Sequence, residues 1–122
     1  MGWYGVFLVP KLKLCFYLRK VDEGILESSF DSMDRFFDKY DKVREDIEYV
    51  LDITEESKTF SAKATAKMFN TIEEIGRIPE ASNSIFLLYF LKKHEFEINY
   101  HPEDAIDLDK LKAEGWQIIE YV

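Results

Sequence analysis

Apolar residues of both parities fill positions 3–9, WYGVFLV, and predict a strand covered on two faces. Pro10-Lys11 interrupts the run. From 12 to 19 the period becomes two. Leu12, Leu14, Phe16 and Leu18 fall on one face and Lys13, Cys15, Tyr17 and Arg19 on the other, as in a half-buried strand. Residues 21–24 read as a turn. A helical period follows. Ser28 or Ser29 is a suitable N-cap, and Phe30, Met33, Phe37, Tyr40, Ile47 and Leu51 make an apolar seam reinforced by Phe36, Val43 and Val50. The pattern predicts one helix over about 28–52. A second, over about 57–75, carries Phe60, Ala64, Met68, Ile72 and Ile75 and stops at Gly76. Its Ala62, Ala64 and Ala66 suit close antiparallel packing on the first helix.

Beyond Pro79, the run IFLLYFL at 85–91 fits a buried strand or a buried helix, because seven residues do not separate the two periods. Clean alternation at Phe96, Ile98 and Tyr100 favours a strand pair, although Lys92-Lys93-His94 lacks the Gly or Asn of a tight turn. A short helix over 108–113, a stop at Gly115 and a strand over 116–121 complete the pattern. The expected order is β-β-α-α-β-β-α-β. It predicts one α+β domain over 1–122: a mainly antiparallel sheet of about four to five strands, with an antiparallel pair of long helices packed on it.

Composition supports a folded core. The chain has 122 residues, is 47% hydrophobic and 16% aromatic, and can bury enough apolar surface to offset its ordering entropy. Charge narrows the partners. Acids outnumber Lys and Arg by 24 to 16, so the net charge is −8. That balance argues against nucleic acid and anionic membrane surfaces, both of which are met by Lys and Arg. One cysteine, Cys15, excludes an intramolecular disulfide and a thiolate zinc cluster. The N-terminal apolar run is followed rather than preceded by charge, unlike a secretory signal, and no run is long enough to span a bilayer. The expectation is a soluble, cytoplasmic protein.

Candidate chemistry is sparse. The phosphate-cradling GxxxxGK[ST] and GxGxxG patterns and the GxSxG nucleophile elbow are absent. Two histidines, His94 and His101, lie in HEFEINYHPED, where Glu97 or Asp104 could complete a hydrolytic site. Seven residues apart on one strand, however, they would face opposite sides. Glu56-Ser57-Lys58 has the ExK spacing of some nucleases but opens a predicted helix. The acids Glu103, Asp104, Asp107 and Asp109 lack the Gly and Glu positions of a calcium loop and suit a helix N-terminus instead. No metal or cofactor is expected.

The most informative pattern is acidic. Asp31, Asp34, Asp38, Asp41, Glu45, Glu48 and Asp52 recur at steps of three and four, which stacks them along one helix face. The stripe would extend about 32 Å and lie about 100° around from the apolar seam. Residues 31–52 hold eight acids and four bases, half the net charge of the chain. Asp31-Arg35 and Asp38-Lys42 are favourable i,i+4 pairs of a solvated face. They do not explain seven acids in register, since like charges at these spacings repel. Tyr49, beside Glu45 and Glu48, is the aromatic expected to be exposed.

These features give three expectations. The first is a non-catalytic acidic module that binds a basic protein, such as a nuclease toxin, as inhibitors of the bacterial immunity-protein type do. Asp34, Asp38, Asp41, Glu45, Glu48 and Tyr49 would form its binding face. The second is a small hydrolase or nuclease using His94 and His101. The third is a structural or regulatory subunit whose apolar surface is completed in an oligomer.

Overall fold

The continuous apolar run and the alternating segment after it both form strands, and they pair with each other. In the computed structural model, which describes residues 2–53 and 83–121, β1 is Tyr4–Val9 and β2 is Leu14–Arg19. They are antiparallel, with Val6 opposite Tyr17 and Leu8 opposite Cys15. A 3-10 turn over Pro10–Leu12 joins them, and Lys13 leaves it in the left-handed region. Gly5 stands where β1 passes the carbonyl of Val21: a Cβ there would lie 1.9 Å from that oxygen, so no side chain fits.

Helix α1, Glu23–Lys39, starts about five residues before the expected Ser28. Asp22 is its cap and accepts from the Ile25 N–H at 2.8 Å. Val21 before the cap and Leu26 at the fourth helical position are both buried, the arrangement of a hydrophobic staple. The segment expected to be a turn is therefore a helix start. The helical span expected over 28–52 is also interrupted. α1 ends at Tyr40, whose φ of −127° and ψ of 58° are not helical, and α2 runs Asp41–Leu51. The helix expected over 57–75, and its pairing with the first, lie outside the described residues.

The run at 85–91 is helical, which corrects the expected strand. Helix α3 spans Asn83–Lys93, and residues 84–91 are buried on every side. A helix enclosed all round has no polar face, so its sequence carries no amphipathic period. Glu95, at a φ of +67°, ends it. The Phe96 N–H bonds to the Leu91 carbonyl and the Glu95 N–H to that of Lys92, a Schellman closure that needs neither Gly nor Asn here. Phe96, Ile98 and Tyr100 do pack on the core, but regular pairing begins only at β3, Asn99–Pro102.

Helix α4, Leu108–Ala113, falls where predicted, capped by Asp107. Gly115, at a φ of +91°, closes it by the same pattern. β4 is Gln117–Tyr121. The sheet order is β3-β1-β2-β4: the first two contacts are antiparallel, and β4 joins β2 in parallel. The described residues thus make an α+β fold around a four-stranded mixed sheet.

Two layers cover the sheet. Phe7, Val9, Leu14, Phe16 and Leu18 form one core with Phe30, Met33 and Phe37 of α1, Ile47 and Leu51 of α2, and most of α3. Val6 and Cys15, of opposite parity, are fully buried on the other face. Residues 103–116 carry the chain from β3 to β4 across that face. Tyr17, stacked on Tyr4 at 4.2 Å, donates to the Glu103 carboxylate, and Lys13 Nζ reaches the Glu114 carbonyl at 3.2 Å. The bond to Glu103, with burial and that carboxylate's charge, pushes the Tyr17 phenol up to about 12. Burial pushes the Cys15 thiol up to about 11, so it is an inert core group.

Candidate functional site

The acidic stripe is divided by the break at Tyr40, and its two halves face different surroundings. In α1 the core seam is Leu26, Phe30, Met33 and Phe37. Asp34 lies one residue past Met33, so its side chain leaves the helix at the edge of the core. There it meets α3. The Tyr89 hydroxyl donates to Asp34 Oδ1 at 2.8 Å, and Lys93 Nζ lies 2.7 Å from the same oxygen. Burial alone would push the Asp34 carboxyl up, but hydrogen bonds from Lys93 and Tyr89, with the charges of Lys93 and Lys92, hold it below the usual range.

Tyr89 is itself a core residue. It packs against Phe30 and Phe37, with ring centroids at 5.7 and 5.6 Å, and Lys93 Nζ sits 5.4 Å from its ring centroid. Burial and the Asp34 carboxylate raise its pKa well above that of a free phenol. Asp34 is thus chiefly a cross-link between α1 and α3. Asp31 and Asp38 stay exposed, and Arg35 donates to Ser32 Oγ at 3.3 Å.

In α2 the geometry is outward. Ile47 and Leu51 face the core. At 100° per residue, Tyr49 points almost directly away from them. It is 85% exposed, with Glu45 and Asp46, both exposed, to either side. Arg44 organises the near edge: it bonds to Asp41 at 2.5 Å, while its buried Nε lies 3.8 Å from Glu48. Arg44 sits between its two partners on one face, so Glu45 and Tyr49 are left presented to solvent. Tyr40, expected in the apolar seam, is exposed at the break.

The histidines occupy separate settings. His94 is exposed in the turn that ends α3, and His101 is half-buried in β3, opposite Val6. Among the described residues, no hydrogen bond or ion pair joins them. No three His, Cys, Asp or Glu side chains there converge on a metal-sized site either. Glu56-Ser57-Lys58 lies outside the described residues. Among those residues, no helix is long and apolar enough to cross a membrane.

Sequence reasoning missed Tyr89 and Lys93 as the partners of Asp34, because Tyr89 lay in a run expected to be a strand and Lys93 in the turn expected after it. No family model, curated protein or solved structure matches the chain.

Proposed function

We propose that the protein is a non-catalytic acidic binding module that seats a basic partner protein on the outer face of α2. It would act as an inhibitor of the immunity type, closing a basic cleft such as that of a nuclease. The observation that carries this reading is Tyr49. A tyrosine 85% exposed costs apolar hydration in the free protein, and it stands among carboxylates that no core contact requires. In a complex, Asp38, Asp41, Glu45 and Glu48 steer a cationic partner in, and Tyr49 becomes the desolvated anchor. Asp34 takes no part in the contact, since Tyr89 and Lys93 already occupy its inner oxygen and Lys93 balances its charge. A cytoplasmic setting is consistent with Cys15, a free and buried thiol.

The test is affinity capture from the native host at low and high salt. One bait is the wild type, and a second carries Asp38→Asn, Asp41→Asn, Glu45→Gln and Glu48→Gln. A third carries Tyr49→Ala alone. The expected result is a basic protein that weakens with salt, associates more slowly with the charge variant and dissociates faster from Tyr49→Ala. Identical recovery by all three baits overturns the reading.

A further inference from the structure

A cleft follows one side of α1 for three turns, away from the α2 face. The opposite wall is the end of α3 and the chain leading into β3. It has two lobes. A polar lobe of about 450 Å³ is lined by Asp31, Asp34, Tyr89, Lys93 and Glu95. A second lobe of about 310 Å³ has Phe7, Leu26, Phe96, Ile98 and Tyr100 in its wall and Glu23 among its lining residues. Glu27, Phe30 and Lys92 line both, so the lobes are adjacent along α1. Each volume falls in the range of ligand pockets, about 300–1,000 Å³.

Shape and charge together select the occupant. The α1 wall from Glu23 to Asp34 extends about 16 Å, the reach of about five extended residues. Asp34 and Lys93 neutralise each other. The remaining charges are Glu23, Glu27, Asp31 and Glu95, all exposed, against Lys92 alone, a net of −3. Such a rim repels anionic lipids and acidic peptides and attracts cations. Lys92 Nζ lies 5.3 Å from the centroid of the Phe30 ring, where the lobes meet. Held there, its ammonium can donate to a main-chain carbonyl of a passing strand.

We propose that this cleft binds a short, extended, basic segment of a partner protein. One apolar side chain enters the lobe beside Tyr100, and one or two Lys or Arg residues two to three positions away meet Asp31 and Glu95. Main-chain recognition falls to Lys92. The site is independent of the α2 face and does not rest on it.

The experiment is an NMR titration of the ¹⁵N-labelled protein with three five-residue probes. The first has two arginines and one phenylalanine. The second replaces the arginines by glutamates, and the third replaces the phenylalanine by serine. The first should shift the amides of Glu27, Asp31, Lys92 and Phe96. The second and third should each bind about tenfold more weakly or worse, one losing the charge match and the other the buried ring. Glu27→Lys with Asp31→Lys, both on the exposed rim, should weaken the first probe by about tenfold or more, while Tyr49→Ala leaves it unchanged. The proposal fails if the first probe shifts nothing in the cleft, maps to α2, or binds no better than the acidic probe.

Discussion

The two halves of the acidic helical span share a sequence spacing and little else. Asp34 stands at the rim of the α1 core seam, and α3 passes close enough for a tyrosine and a lysine to share one of its oxygens. On α2, Glu45 and Tyr49 are exposed, on the side opposite the core residues Ile47 and Leu51. Equal spacing therefore led to different surroundings: Asp34 cross-links α1 to α3, whereas Glu45 of α2 stays in solvent. The lesson concerns what surrounds a helix rather than the helix itself. A carboxylate in a periodic stripe is available to a partner only if no neighbouring element reaches it first.

The contrast can be broken most sharply at Phe37, which packs on Tyr89 and Phe90. Phe37→Ala should cost about 3–5 kcal/mol in urea or thermal unfolding, a large share of a small domain's stability. Asp34→Ala strands the Tyr89 hydroxyl beside the core and should cost about 2 kcal/mol, mostly from that bond, because the half-exposed lysine pair contributes little. Its effect should depend on pH. The folded Asp34 carboxyl titrates below its ordinary 3.8, so its contribution is complete above that value and lost as pH falls through the lowered one. Wild type and Asp34→Asn should therefore converge in stability in strong acid, and a gap that widens there would contradict the assignment. Arg44→Ala removes the link between Asp41 and Glu48, both partly exposed, and should cost about 1 kcal/mol or less. Tyr49→Ala and Glu45→Gln should change stability by no more than about 0.5 kcal/mol by the same unfolding assay. A larger loss at either would mean that α2's outer face is a packing surface.

Sequence and structure agree where period and punctuation were both visible. The alternation at Leu14, Phe16 and Leu18, the seam at Phe30, Met33 and Phe37, and the Asp107 to Gly115 helix were legible because one face is buried and the ends are marked. The start of α1 was also marked, by Val21, Asp22 and Leu26, but Gly24 at the second helical position disguised it as a turn. Two features had no local signal. α3 is enclosed on all sides, so its helical period is erased, and the closing residue is Glu95 rather than a glycine. Tyr40 breaks the helical span in DKYDKV, where neither Gly nor Pro stands. Of the candidate face, Tyr49's exposure was readable from its place on the helix wheel. The use of Asp34 was not, because its partners lie 55 and 59 positions further along the chain.

The strand order also sets a sequence of events. The inner pair, β1 and β2, comes from the first 19 residues and closes through one short turn, whereas both outer strands come from residues 99–121. Leu14 must find Gln117, and Gly5 must find Pro102, pairings among the most distant in the chain. Loop closure of that size is entropically late, so the hairpin and its helices should assemble first and the flanking strands dock last. During synthesis the two edges of the hairpin meet these partner strands only after residues 99–121 have emerged. That interval is when a nascent chain of this kind is exposed to strand pairing with a neighbour and most needs a chaperone.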